Sequence, residues 1–158
     1  MELNLSLEMI NNVSEIDIVY RKKVNCKMSE RPLIQRSSDA FEILNHYWNP
    51  DKINIVEEFK VLFLNRANRV LQIFSASIGG VTGTIADPRI ILAIALKVGA
   101  CSIFLAHNHP SGNLRPSTAD QDLTRKIKEA ARFHDINVLD HIILNDESYF
   151  SFADDGLL

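Results

Sequence analysis

Residues 107–120 read "HNHPSGNLRPSTAD". Two histidines stand one residue apart, and an acid follows eleven residues after the second. The intervening prolines, glycine and asparagines oppose both helix and strand, so the segment is a turn that folds the chain back on itself. A strand entering at His107 would put His107 and His109 on one face, because side chains alternate with period two. A helix leaving at Ser117 would carry Asp120 in its first turn, facing back toward the histidines. Two imidazoles and one carboxylate suit zinc with an open fourth position, the catalytic rather than the closed structural pattern. Water held at such a site becomes acidic enough to supply hydroxide near neutral pH. A plainer reading stands beside this one: Ser117 and Asp120 also match serine at N-cap with an acid at N3. Capping and ligation are compatible, since a metal needs only one carboxylate oxygen.

Working outward from the turn, "CSIFLAH" (101–107) is a short apolar strand and "STADQDLTRKIKEAARF" (117–133) an amphipathic helix. "NVLDHIIL" (137–144) is the next strand, "NDES" a turn, and "YFSF" a last short strand. Upstream, "SSDAFEILNHYW" (37–48) predicts a helix with Ser37 or Ser38 as N-cap and Phe41, Leu44 and Trp48 on one face. "EEFKVLFLN" (57–65) and "RVLQIFSAS" (69–77) predict a hairpin turned by "RAN". "IGGVTGTIADP" reads as a loop with glycines at Gly79, Gly80 and Gly83, matching neither phosphate-binding glycine pattern. Pro88 opens a helix, "PRIILAIALKV", that Gly99 stops. "EIDIVYRKKV" (15–24) alternates well enough for an edge strand. Strands alternating with three helices predict an α/β domain, a mixed sheet sandwiched by helices.

A chain of 158 residues, 46% apolar, fits one domain with a short appendage. No run of about 18 apolar residues is present, so no transmembrane helix is expected. "MELNLSLEMI" lacks the marks of a signal peptide, and Cys26 and Cys101 form no framework, so a cytoplasmic setting is expected. The net charge of −3 argues against a general polyanion binder. Residues 20–36 are the exception, with six Lys or Arg against Glu30. That run is either a solvated arm or a nucleic-acid contact, and no aromatic platform interleaves its charges.

The pattern H-x-H-x7-S-x2-D resembles the signature of the JAMM (JAB1/MPN) metalloprotease fold. The full "HNHPSGNLRPSTAD", with "DLT" (122–124), "LDHIIL" (139–144), "EEFKVLFLNRANRVL" and "GTIADPR", resembles the RadC branch of that family. The likeness covers roughly residues 37–158, which divides the chain into an N-terminal strand and basic arm (1–36) and a RadC-like domain (37–158). It implies a JAB1/MPN fold of cytidine-deaminase-like architecture. It implies one zinc ion on His107, His109 and Asp120, and hydrolysis of a peptide or isopeptide bond in a peptide or protein substrate. It implies an upstream glutamate as general base; the RadC form E-x-F selects Glu57 over Glu58, and strand alternation allows only one of them on the metal side. It also implies that Ser117 steadies the developing oxyanion. Full-length RadC proteins carry a helix-hairpin-helix region associated with DNA binding. The residues before the first helix are too few for it, so a DNA-repair role rests on the basic run alone. The alternative function is a non-catalytic or DNA-associated accessory module that keeps the metal site for structure.

Other readings fail on spacing. The letters "HNH" at 107–109 are not the HNH nuclease motif, whose residues are spread over a ββα unit. The deaminase pair H-x-E…P-C-x-x-C is absent, as is H-E-x-x-H. His141, beside Asp140 in an apolar strand, is read as a hydrogen-bonded core residue, with a ligand or supporting role as the alternative. Cys101 is read as a small buried hydrophobe and not a ligand. His46 and His134 carry no partner signal. Asn108 and Ser111 are read as loop-shaping residues without chemistry.

Overall fold

The hairpin expected across residues 57–77 forms β1 (Glu58–Leu64) and β2 (Val70–Ile78), antiparallel and turned at Asn65–Asn68, where Asn68 takes a left-handed φ of 54°. The computed structural model describes residues 26–79 and 86–158. The expected strand at 15–24, residues 20–25 of the basic run, and Gly80 and Gly83 lie outside the described residues. A short 3₁₀ turn, Met28–Glu30, precedes α1 (Ser37–Tyr47). After β2 come α2 (Pro88–Val98), β3 (Ser102–Asn108), α3 (Thr118–Arg132), β4 (Asn137–Leu144) and β5 (Tyr149–Ser151).

The five strands form one mixed sheet in the order β2-β1-β3-β4-β5. Only β3 and β4 run parallel, joined by the α3 crossover; the other neighbours are antiparallel. Every residue of β1 and β3 is buried. Both strands are buried along their whole length because helices cover both of their faces. On the front face, α2 and α3 pack through Ile91, Leu92, Ala95, Ile127 and Ala131 on Phe59, Val61, Phe63, Ile103 and Leu105. On the back face, α1 packs through Ala40, Leu44 and Trp48 on Leu62, Leu64, Phe104, Ala106, Ile142 and Leu144. Each large apolar side chain fully withdrawn from water contributes about 1.5–3 kcal/mol. The sandwich of helices around a mixed α/β sheet is therefore the observed architecture.

Local details depart from expectation in instructive places. Neither Ser37 nor Ser38 caps α1: the cap position is Arg36, and the Asp39 carboxylate accepts from the backbone N–H groups of Gln35 and Arg36 at 2.8 and 3.0 Å. Ser37 is the first helical residue, and its hydroxyl meets Ser151 Oγ across the back of the sheet at 3.3 Å. Asp87 caps α2, and Gly99 ends it at φ 67°, as its lack of a Cβ permits. β4 carries one residue too many: Ile103 pairs with Val138, but Phe104 pairs with Asp140, so Leu139 is a bulge. Without that extra residue, Asp140 and His141 would exchange faces.

Candidate metal centre

β3 ends at Asn108, and its neighbours set the side of the sheet on which the next chemistry lies. His107 pairs with Phe59 of β1, and the two rings stack with centroids 5.9 Å apart on the front face. The chain then turns sharply. Gly112 N–H donates to the His109 carbonyl at 2.9 Å, with Gly112 at φ 76°, a conformation that favours glycine. This turn brings the Asn113 carbonyl against His109 Nδ1. A carbonyl only accepts, so Nδ1 of His109 carries a proton and Nε2 is the nitrogen turned toward His107 and Asp120. Pro116 leads to Ser117, the N-cap of α3, whose Oγ accepts from Asp120 N–H at 3.1 Å.

The turn thereby gathers His107, His109 and Asp120, whose ligand atoms all lie within 4.8 Å of one another. His107 Nε2 is 2.9 Å from His109 Nε2 and 3.2 Å from Asp120 Oδ1; His109 Nε2 is 3.6 Å from Asp120 Oδ2. Bond lengths of 2.0–2.2 Å in a tetrahedral zinc centre place ligand atoms about 3.3 Å apart. The cluster matches that spacing, and its donors, two imidazole nitrogens and a carboxylate, match the metal's chemistry. Capping and convergence coexist on one carboxylate. Oδ2 accepts from Ser117 N–H and Oγ–H, both at 2.7 Å, while Oδ1 is turned to His107. His107 is buried, whereas His109 and Asp120 remain partly open to solvent.

The electrostatics follow from this packing. Burial, the largest single influence, pushes the Asp120 carboxyl up. Hydrogen bonds from His107 and His109, the charge on His107 and the Ser117 hydroxyl together outweigh it and hold the group far below the usual carboxylate range. The hydrogen bond to Asp120 raises the His109 imidazole above its ordinary value, against the effect of burial, with further help from the Asn113 carbonyl and the charge of Glu57. The fully buried His141 ring is pushed well below its ordinary value, first by burial and then by His107.

The two candidate glutamates part company. Glu58 is buried on the back face, ion-paired with the buried Lys60, whose ammonium also meets Ser75 Oγ at 3.0 Å and sits 4.7 Å from the Trp48 ring centroid. Glu57 is half-buried at the start of β1, and its charge reaches His109. Asn108 sets that strand start. Its Oδ1 accepts from Glu58 N–H at 2.7 Å, and its Nδ2 donates to the carbonyls of Ile53 and Val56 at 2.6 and 2.9 Å. Ser111 is exposed, and its hydroxyl accepts from Asn113 N–H at 3.4 Å. His46 and His134 are on the surface; Cys101 is half-buried and outside the cluster.

His141 is more than a core residue. Its Nε2 lies 2.8 Å from His107 Nδ1, and its Nδ1 lies 2.6 Å from Thr124 Oγ1. Thr124 is the residue that sequence reasoning passed over. Its signal was a hydroxyl in the buried stripe Thr124, Ile127, Ala131 of α3, where a polar atom needs a partner. Among the described residues, no helix is long and apolar enough to cross a membrane.

Comparison with known proteins agrees with this geometry. A family model described as "RadC-like JAB domain" matches residues 34–157. A UPF0758 protein of Flavobacterium johnsoniae is 48% identical over 101 residues, 64% of this chain and 44% of that protein. A UPF0758 protein of Chlorobaculum parvum is 38% identical over 141 residues, 89% of this chain and 60% of that protein. One from Porphyromonas gingivalis is 46% identical over 103 residues, 65% of this chain and 45% of that protein. The matched regions thus span 44% to 60% of the length of these relatives. With the family model covering most of its length, the chain belongs to the RadC-like JAB domain family.

Proposed function

We propose that the chain is a zinc-dependent hydrolase of peptide or isopeptide bonds. The observation that carries this reading is the convergence of two imidazole nitrogens and one carboxylate on a partly open edge of the front face. His107, His109 and Asp120 would hold the ion and leave one position free. When bound, zinc supplies Lewis acidity, which makes hydroxide available near neutral pH. Glu57 would take the proton from the attacking water and return it to the leaving nitrogen. Its half-buried place and its charge at His109 support this role, and Glu58 is committed to Lys60. Ser117 would donate to the substrate carbonyl oxygen as negative charge grows there, helped by the N-terminal end of α3. Its proton now goes to Asp120 Oδ2, so the hydroxyl turns from carboxylate to substrate when an acyl group enters.

The catalytic unit in this reading is 37–158, with 1–36 as a basic arm, and the substrate is a peptide or protein. The unpaired cysteines Cys26 and Cys101 suit a reducing, cytoplasmic setting. Metal analysis by mass spectrometry tests the reading first. About one zinc per chain in wild type and Glu57→Ala, but not in His109→Ala, is the expected result. Absence of zinc from wild type after loading sinks it. Zinc binding without amide turnover on any peptide or isopeptide tested favours the accessory module instead.

A further inference from the structure

A threonine hydroxyl, two imidazoles and a backbone carbonyl stand in line beneath the metal cluster, and their proton arithmetic has one solution. Thr124 Oγ1 is 2.6 Å from the Asp120 carbonyl oxygen and 2.6 Å from His141 Nδ1. The hydroxyl has one proton, and the carbonyl can only accept it. Giving that proton to His141 would leave two oxygens 2.6 Å apart with no hydrogen between them. The proton therefore goes to the carbonyl, and the hydroxyl's lone pair faces His141 Nδ1, which must carry its own proton. His141 is fully buried between Phe59 and Phe152, with ring centroids at 5.4 and 4.8 Å. No side-chain carboxylate hydrogen-bonds to its ring among the described residues, so a charged ring there would be buried without a hydrogen-bonded counter-ion. A neutral ring with its proton on Nδ1 has a bare Nε2. That atom lies 2.8 Å from His107 Nδ1, which must then be the donor.

We infer that Thr124 and His141 are positioning residues that keep a proton on His107 Nδ1, so that Nε2 is the nitrogen His107 turns to His109, Asp120 and an ion. The inference deepens the metal-centre reading above and rests on it. A ligating histidine more often gives its second N–H to a carboxylate or a carbonyl, groups that can only accept. An imidazole can accept or donate, so here the choice is made one step further away, at Thr124. The arrangement is built into α3: Thr124 lies one helical turn after Asp120, so one turn of helix carries both a cluster residue and the residue that sets the tautomer of another.

The test uses the full chain with ¹⁵N-labelled histidine. Long-range nitrogen–proton correlation spectra report the tautomer of each ring without zinc, and competition with a chromophoric chelator reports zinc affinity. Wild type is expected to show Nδ1–H at both His107 and His141. Thr124→Ser keeps the hydroxyl and keeps both signatures. Thr124→Val frees His141 to present Nε2–H, which drives His107 toward the Nε2–H form and weakens zinc binding about 10–100-fold. An unchanged tautomer and affinity in Thr124→Val overturn the inference. So does an Nδ1 without its proton at either ring in zinc-free wild type, a result that needs no variant to fold. Wild-type tautomers as expected with no zinc bound would leave the relay intact and overturn the metal-centre reading.

Discussion

Three pairs of neighbouring residues, Glu57-Glu58, His107-Asn108 and Asp140-His141, straddle the sheet, and the two faces treat their polar groups in opposite ways. On the back, the buried acids and the buried amide are answered from within, and Trp48 Nε1 is left without a hydrogen-bond partner. Glu58 pairs with Lys60, Asn108 spends its amide on three backbone groups, and Asp140 accepts from Ser151 Oγ at 2.6 Å and from two backbone N–H groups. On the front, His107, His109 and Asp120 bring two nitrogens and a carboxylate to one point, a set that could hold a cation. The polar groups of the back face serve the fold, while those of the front face converge on the candidate metal site. A front substitution should therefore abolish chemistry and spare stability, and a back substitution should do the reverse.

The sharpest break of this comparison comes from His109→Ala. Zinc is expected to fall from about one per chain to background. Unfolding free energy measured in chelator should fall by only about 0.5–1.5 kcal/mol, since His107 and Asp120 lose one partner each but keep His141, Ser117 and one another. A collapse of the chelated protein would show that the front face is structural after all. Next is Lys60→Met, which strands Glu58 in the back core at a cost of about 3–5 kcal/mol in denaturant unfolding. Zinc content should be unchanged. Adding Glu58→Gln should recover most of that loss, because replacing a buried pair costs far less than breaking one. Asn108→Ala lies between the faces. It should cost about 1–3 kcal/mol by orphaning backbone groups at the start of β1. It should also slow any turnover that depends on Glu57, with zinc retained.

The smallest effect is a pH dependence confined to Asp140. Burial raises its carboxyl above the ordinary value, against the hydrogen bonds from Ser151 and the backbone. The folded state then holds that proton more tightly than the unfolded chain does. Its contribution is complete below the unfolded pKa of about 3.9 and is lost as pH rises through the folded value. The difference in unfolding free energy between wild type and Asp140→Asn should accordingly fall with rising pH. One proton limits the slope to about 1.4 kcal/mol per pH unit. A difference that rises over that interval would mean that Asp140 is stabilised as a carboxylate.

Most of the fold was legible because its signals are local. The strand at 137–144 and the helix at 88–98 match β4 and α2 in extent, and β2 and β3 begin one residue later than read. The failures are also local. The cap of α1 was misread because the helix starts at Ser37 itself, with Arg36 at the cap position and the Asp39 carboxylate taking the Gln35 and Arg36 N–H groups, so neither serine stands at the N-cap. His141 was read chiefly as a core residue because hydrophobic patterning cannot tell a satisfied histidine from one that orients another. Thr124 was missed because a threonine in an amphipathic stripe looks like packing.

From its residues alone this chain specifies the elements, the turn between β3 and α3, and the spacing that brings His107, His109 and Asp120 within reach of one another. Period-two alternation along the strand and the first turn of a helix are enough for that. The partner of His107 is different. It depends on Leu139, the one extra residue in β4, which turns His141 to the front and Asp140 to the back. A bulge exists only relative to the strand beside it, so no reading of one strand by itself could have supplied it.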